Sequence, residues 1–166
     1  GTRTTRNSQP LEEKDAKRGT IGIPRVLNMY EDYPFWFTLF TNLGFRVIIS
    51  EKSTRKIYEK GMESMPSESV CYPAKLSHGH VISLIQKGIK TIFYPCMPYS
   101  RKEYQDANNR YNCPIVISYA EVIKNNVEEL RTNNIKFMNP FLPFESKQLM
   151  QRMMELEEFK EYNFTK

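Results

Sequence analysis

The chain has 166 residues and three cysteines, and its 24 lysines and arginines exceed its 19 aspartates and glutamates, giving a net charge of +5. This length is typical of one domain with its own hydrophobic core. The sequence excludes a membrane span and a signal peptide, because it has no run of about 18 apolar residues and its polar first segment lacks an apolar centre. We therefore expect a soluble, cytoplasmic protein.

The charge and the cysteine spacing limit the possible partners. The basic residues are scattered along the chain instead of forming one stripe, so we expect no nucleic-acid partner and no membrane partner. A mildly basic cleft would still suit a phosphate-bearing small molecule such as coenzyme A. With no C-x-x-C pair and no zinc-finger spacing, the cysteines indicate reduced thiols or metal ligands and not a disulfide framework.

The chain divides into a short polar segment and one domain. Residues 1–18 are polar, aperiodic and mixed in charge, which is typical of a linker. Residues 19–166 are predicted to form a single α/β domain, excised from a larger multidomain protein.

The first half of the domain alternates short apolar runs with helical spacing. Residues 20–24 and 45–50 are predicted strands. Between them, Pro34 is expected to open a helix that has Trp36, Leu39, Phe40 and Leu43 on its core face and ends at Gly44, a left-handed cap. Ser53 is expected to cap a short helix that ends at Gly61.

The second half continues this alternation. A helix is predicted from Pro73 to Gly88, followed by a strand at 90–95 and a polar loop of about seventeen residues, 97–113, whose length favours a functional role. Residues 114–118 and 135–138 are predicted strands, with a helix from Tyr119 to Leu130 between them. The last helix opens near Ser146, and its predicted apolar side consists of Leu149, Met150, Met153 and Leu156.

Five continuously apolar strands that alternate with helices predict a doubly wound α/β fold. The sheet should be mainly parallel, with about five strands and helices on both faces, as in Rossmann-like and flavodoxin-like domains. Ligands of such folds bind beyond the carboxyl ends of the strands. Arg25 and Lys75 are the cations nearest that edge, and Tyr30 and Tyr33 are expected to precede the first helix and face a site there. These four residues are the candidate cofactor-binding set.

The sequence does not predict a nucleotide held in a glycine-rich loop. Neither G-x-G-x-x-G nor G-x-x-x-x-G-K-[ST] follows the first strand, so we expect no ATP in this domain.

The cysteines are candidate metal ligands. Cys71 precedes a helix, where free N–H groups and the positive end of the helix dipole favour a thiolate, although a small buried filler is an equal alternative. Cys96 follows a strand at the ligand edge between two prolines, which also suit a tight turn. Cys113, if it opened the strand 114–118, would lie roughly 16 Å from that edge.

The two histidines lie one turn or more inside the same predicted helix. His78 shares a stripe with Ala74, Val81 and Ile85, which favours a hydrogen-bonded core residue over a metal ligand. His80 falls on a flank of the helix. Gly79, between them, is predicted to allow close packing of another helix.

Four motifs, "IGIPRVLNMYEDYPFWF", "PSESVCYPAKLSHGH", "IFYPCMPY" and "NCPIVISYAEVI", together resemble one family. They look like the domain that follows the activase domains in acyl-CoA dehydratase activase-related proteins of anaerobic bacteria, relatives of 2-hydroxyglutaryl-CoA dehydratase and benzoyl-CoA reductase components. The resemblance runs from about Thr20 to Asn126.

The resemblance implies an accessory or dehydratase-like domain that takes part in electron transfer. In the dehydratase components, three cysteines hold a [4Fe–4S] cluster whose open iron lies near the acyl-CoA, and an activator supplies one electron using ATP. Carried over, the ligands would be Cys71, Cys96 and Cys113, and the partners would be the activase domains of the same longer polypeptide.

Three other functions remain open at this stage. One is a metal-free module that docks the activase domain or an acyl-CoA. Another is thiol chemistry with Cys71 as nucleophile and His78 as base, although the two lie about 10 Å apart along a helix. The last is zinc bound by three thiolates and one imidazole.

Overall fold

The computed structural model describes residues 9–100, 106, 109–143 and 146–160. In these residues, helices cover both faces of one sheet. The strands are β1 (Thr20–Ile23), β2 (Arg46–Ile49), β3 (Thr91–Phe93) and β4 (Lys136–Met138). The helices are α1 (Met29–Asn42), α2 (Arg55–Gly61), α3 (Tyr72–Gln86), α4 (Pro114–Asn126), α5 (Glu128–Thr132), α6 (Ser146–Glu155) and α7 (Glu157–Lys160). Short 3-10 turns occupy Glu13–Asp15 and Met62–Ser64.

The sheet is parallel and has the order β2-β1-β3-β4. The register places Ile21 beside Val47, Gly22 beside Ile92, and Ile92 beside Phe137. The predicted doubly wound α/β fold is confirmed, with four strands in the described part of the chain instead of about five. After β1 the chain turns to one side to form β2, and it then crosses back to form β3. The switch point of the fold therefore lies between the carboxyl ends of β1 and β3.

Two layers of side chains cover the sheet. Trp36 and Phe40 of α1 lie with ring centroids 4.8 Å and 4.9 Å from that of Phe93 in β3, and Phe159 of α7 stacks on Phe40. These contacts place α1 and α7 on one face. Right-handed crossovers place α3 and α4 on the other. Trp36 and Phe40 are wholly buried, as their helical spacing predicted.

The predicted strand at 114–118 is wrong, because these residues form the first turns of α4. Pro114 occupies the first helical position, where its missing N–H is not needed. Ile115, Tyr119 and Ile123 then follow at intervals of four and pack on the core. The predicted helix from Tyr119 to Leu130 is likewise two helices, since Val127 between α4 and α5 has extended backbone angles.

Two predicted helix starts also differ from the structure. The first helix begins at Met29, so Pro34 lies inside α1 and removes the bond that its N–H would make to the carbonyl of Tyr30. Thr54, and not Ser53, caps α2 by accepting a hydrogen bond from the backbone of Ile57. The bounds of α3 agree with the prediction within two residues.

Three helices end in the same way immediately before a strand. At the end of α1, the N–H of Phe45 donates to the carbonyl of Phe40, and Gly44 has a φ of 89°. This is a Schellman motif, and it confirms the predicted cap at Gly44. Gly88 and Asn134 have φ values of 80° and 53° at the corresponding positions before β3 and β4. The repeated cap turns each helix back into the sheet.

The last helices bury only part of the predicted apolar side. Leu149 and Met153 are buried, and Leu156 packs partly on the core. Met150 is half exposed, so its placement on the core face was wrong. None of the helices in the described ranges is long and apolar enough to cross a membrane.

The amino-terminal segment contacts the domain in the part that the structure describes. Arg18 donates its backbone N–H to Gly44, and the Arg46 side chain donates to the Leu11 carbonyl. Residues 1–8 of the predicted linker lie outside the described residues.

Candidate functional site

A cleft of about 250 Å³ opens beyond the carboxyl end of β1, beside the switch point. The loop after β1, the first turn of α1, the segment before α2 and the amino end of α3 form its walls. Its lining includes Arg25, Leu27, Tyr30, Glu31, Ser53 and Leu76. The cleft therefore lies where ligands of doubly wound folds bind.

Arg25 is the positively charged residue of this cleft. Its guanidinium carbon lies 4.7 Å from the ring centroid of Tyr30 and 4.9 Å from that of Tyr33, so two aromatic rings hold it. Its backbone N–H donates to Ser50 Oγ at 2.7 Å. The Nε atom is buried and has no hydrogen-bond partner among the residues described. Arg25 thus has a fixed position and an unused donor.

The backbone next to Arg25 is strained. Leu27 has a φ of 47°, a left-handed conformation that side chains with a Cβ rarely adopt. Such a conformation costs on the order of 1–3 kcal/mol and is most often found at functional sites. The strain lies in the cleft wall, between β1 and α1.

The four predicted cofactor-binding residues are only partly brought together. Arg25, Tyr30 and Tyr33 form one cluster, although the tyrosines lie inside α1 and not before it as predicted. Lys75 does not line the cleft, because its Nζ donates to the carbonyl of Glu68 at 2.6 Å, in the loop before α3.

Sequence reasoning missed a hydrogen-bonded group behind this cleft. His80 is fully buried, with Nδ1 2.8 Å from Ser50 Oγ and Nε2 3.0 Å from Ser53 Oγ. Burial, followed by the positive charge of Arg25, lowers the pKa of His80 to about 4. The imidazole is therefore neutral at neutral pH. The sequence pattern that could have indicated this group is Ser50 and Ser53 directly after β2, together with His80 in α3.

His78 is a core residue, as its helical stripe predicted. It is fully buried, with Nδ1 2.8 Å from Ser64 Oγ and Nε2 3.1 Å from the Tyr119 hydroxyl. Burial lowers the pKa of His78 to about 4. Because both ring nitrogens are engaged, His78 is not available as a base for Cys71, and the nucleophile hypothesis loses support.

Gly79 confirms the predicted close packing of helices. A Cβ at this position would lie 1.7 Å from the carbonyl oxygen of Ile57 in α2. On the other side of the contact, a Cβ at Gly61 would lie 2.4 Å from the backbone nitrogen of Gly79. The backbones of α2 and α3 therefore touch at these glycines.

The three cysteines have different environments. Cys71 and Cys113 are exposed and immediately precede α3 and α4. Cys96 is fully buried, and its burial and the Glu121 carboxylate raise the pKa of its thiol to about 11. Since residues 114–118 are helical, the argument that placed Cys113 about 16 Å from the ligand edge no longer applies.

The cysteines are not gathered into a metal-binding group in the described part of the chain. Cys96 lies against Glu121 in the middle of α4, whereas Cys71 acts on the pKa of Tyr119, on the side of α4 that meets α3. Within the described ranges, no three His, Cys, Asp or Glu side chains are placed to hold a metal ion. The described residues therefore give no support to an iron–sulfur or a zinc site, and both sites stay predictions.

The long loop after β3 is described only at its two ends. Tyr99 and Tyr111 form an antiparallel bridge, and the backbone N–H of Ser100 donates to the carbonyl of Arg110 at 3.0 Å. The ends of the loop thus pair with each other. Residues 101–105, 107 and 108 lie outside the described residues, and the functional role of the loop stays a prediction.

A second cleft, of about 490 Å³, lies at the amino edge of the sheet. Its cations already bind protein groups: Arg46 donates to the Leu11 carbonyl, Lys87 pairs with Glu51 at 3.0 Å, and Lys90 donates to the Asn133 carbonyl. The cleft beside Arg25 is smaller but has an unused donor, so it is the stronger candidate site.

A family model described as "CoA enzyme activase uncharacterised domain" matches residues 20–166. No curated protein and no solved structure matches the chain.

Proposed function

Because the chain belongs to the CoA enzyme activase uncharacterised domain family, we propose that it is a ligand-binding domain and that its cleft holds a phosphate-bearing part of coenzyme A or an acyl-CoA. The family membership motivates the choice of coenzyme A. The cleft beside Arg25 motivates the choice of site.

The main support is the environment of the Arg25 side chain. Its guanidinium group packs against the rings of Tyr30 and Tyr33, and its buried Nε has no hydrogen-bond partner among the described residues. Leaving a buried donor unpaired costs about 1–3 kcal/mol. A phosphate oxygen that contacts this N–H in the bound state would remove this cost, and the planar guanidinium group of Arg25, which lines the cleft, suits phosphate in particular.

A second charged residue of the cleft narrows the choice of ligand further. Glu31 brings a carboxylate to the same lining as Arg25. A suitable ligand therefore has an anionic oxygen for Arg25 and an N–H or O–H donor for Glu31. Coenzyme A has phosphates together with amide, amine and hydroxyl donors.

The size of the cleft indicates that only part of the ligand is enclosed. Sites for whole drug-sized ligands span roughly 300–1,000 Å³, and this cleft has about 250 Å³. The ring of Tyr30, which lines the cleft and is exposed, offers a surface for the part of the ligand that lies outside the cleft. The alternative occupant is an acidic side chain of the activase domains, which would make the domain a docking module.

Titration calorimetry with coenzyme A tests the proposal. Arg25→Gln should weaken binding about 10- to 100-fold, because a hydrogen bond to a charged group contributes about 1.5–3 kcal/mol. Arg55→Gln is the matched control, since it removes the same charge from an exposed position on α2. Undetectable binding of coenzyme A at millimolar concentration, or equal affinity for Arg25→Gln and the unmodified chain, refutes the proposal and favours docking.

Iron–sulfur binding and electron transfer form a second proposal. Its support is that Cys71 and Cys113 are exposed and immediately precede α3 and α4, so both thiols are accessible to a metal ion. A cluster bound through these two cysteines and Cys96, the third predicted ligand, would supply electron transfer. Anaerobic reconstitution followed by iron and sulfide analysis tests it. Bound iron that is lost in Cys71→Ser and Cys113→Ser, but kept in Ser118→Ala, would support it, and an iron-free folded chain would refute it.

A further inference from the structure

Three residues behind the cleft form a hydrogen-bonded series that we call the serine–histidine relay: Ser50, His80 and Ser53. Ser50 follows β2, His80 lies in α3, and Ser53 precedes α2 and lines the cleft. His80 is fully buried and Ser50 is almost so, whereas Ser53 is exposed. The relay thus connects the buried side of α3 to the cleft.

The donors in the relay fix its direction. The backbone N–H of Arg25 can only donate, so Ser50 Oγ accepts from it at 2.7 Å. The hydroxyl hydrogen of buried Ser50 needs an acceptor, and the remaining contact of its Oγ in the described part of the chain is His80 Nδ1, at 2.8 Å.

With Nδ1 accepting, the hydrogen of the neutral imidazole is on Nε2. That N–H donates to Ser53 Oγ at 3.0 Å. The Ser53 hydroxyl hydrogen is then left for a partner outside the relay, in the cleft that Ser53 lines. The hydrogen bond that Ser53 Oγ accepts from His80 thus positions the Ser53 hydroxyl, which is free to donate into the cleft.

We propose that Ser53 and Arg25 form one phosphate subsite, in which the Ser53 hydroxyl donates to an oxygen of the same phosphate that Arg25 binds. The inference rests on the ligand-binding function proposed above. The ligand of the subsite is a phosphate whose acceptor oxygens face both side chains, and Ser53 is a binding residue.

The same geometry argues against Ser53 as a nucleophile. An attacking serine must give its hydrogen to His80 Nε2, and in the relay that nitrogen already bears one. The low pKa of His80, about 4, also makes it a weak base at neutral pH. Ser53 therefore binds the ligand and does not attack it.

A double-mutant cycle with coenzyme A tests the subsite in the 166-residue chain. Ser53→Ala should weaken binding about tenfold, and Ser53→Thr should restore most of it, because threonine keeps the hydroxyl. In a chain that already carries Arg25→Gln, Ser53→Ala should reduce the affinity clearly less than it does in the unmodified chain, since the two side chains bind one phosphate. Ser118→Ala is the matched control, because it removes an exposed hydroxyl from α4.

The outcomes separate this inference from the function on which it rests. If coenzyme A does not bind the unmodified chain, both fail. If Arg25→Gln loses affinity and Ser53→Ala does not, or if their effects are fully additive, only the shared subsite fails. Long-range ¹⁵N–¹H spectra of His80 give a ligand-free test: hydrogen on Nε2 is expected, and hydrogen on Nδ1 would overturn the direction of the relay.

Discussion

Replacing Gly79 with alanine perturbs the closest contact between two helices. The added Cβ would lie 1.7 Å from the carbonyl oxygen and 2.6 Å from the carbonyl carbon of Ile57. Carbon–oxygen contacts in proteins are normally about 3.3 Å or longer. Because both partners are backbone atoms, no side-chain rotation removes the clash, and α2 must move away from α3 by about 1.5 Å.

The expected loss of stability follows from two opposing effects. Alanine favours a helix over glycine by about 1 kcal/mol. Overpacking a core typically costs about 1–3 kcal/mol. We expect the cost of a backbone clash that separates two helices to be at or above the upper end of this range. We expect a net loss of about 2–3 kcal/mol in the free energy of unfolding, which lowers the Tm of a domain of this size by about 5–10 °C.

Urea and thermal unfolding, followed by circular dichroism, measure this loss. Ser83→Ala is the matched control on α3, because it adds the same side chain without a clash at Gly79. It also removes a buried hydroxyl that has no hydrogen-bond partner in the described part of the chain, so it should be at least as stable as the unmodified chain. If Gly79→Ala is as stable as Ser83→Ala, the inferred backbone contact is wrong.

Two further predictions concern protonation and thiol reactivity. Burial lowers the folded-state pKa of His78 and His80 from 6.5 to about 4, so the unfolded chain binds more protons than the folded chain between these pH values. Each histidine therefore contributes up to about 3 kcal/mol of stability above pH 6.5 that is lost as the pH falls from 6.5 to about 4. The free energy of unfolding should be lower at pH 4.5 than at pH 7, and equal stability would contradict the burial. Alkylation should modify Cys71 and Cys113 rapidly in the folded chain and Cys96 only after unfolding, so rapid labelling of all three by mass spectrometry would contradict the buried position of Cys96.

The fold was largely predictable because buried parallel strands have a simple pattern. Three predicted strands coincide with β1, β2 and β3 within two residues at each end, and residues 135–138 contain β4. Residues 114–118 misled the prediction because Ile115, Val116 and Ile117 are β-branched. A proline at the first helical position and core contacts spaced by four residues decide the structure there.

Of the candidate site, the sequence predicted only the residue whose position depends on the end of a single strand. Arg25 follows β1 directly, so its position at the ligand edge followed from the order of elements. Its clamp by Tyr30 and Tyr33 depends on α1 beginning five residues earlier than predicted. The contact of Ser53 with His80 was not predictable from the local sequence, because it joins residues 27 positions apart and needs the packing of α2 on α3.

The packing of α2 on α3 also determines where the Ser53 hydroxyl lies. Gly79 allows the two backbones to touch at Ile57, in the middle of α2. Its neighbours His78 and His80 bind Ser64, which follows α2, and Ser53, which precedes it. Helix α2 is thus held to α3 at both ends and at its centre. A change at Gly79 that moves α2 must strain the bond between His80 and Ser53, and so it alters the cleft without touching any residue that lines it.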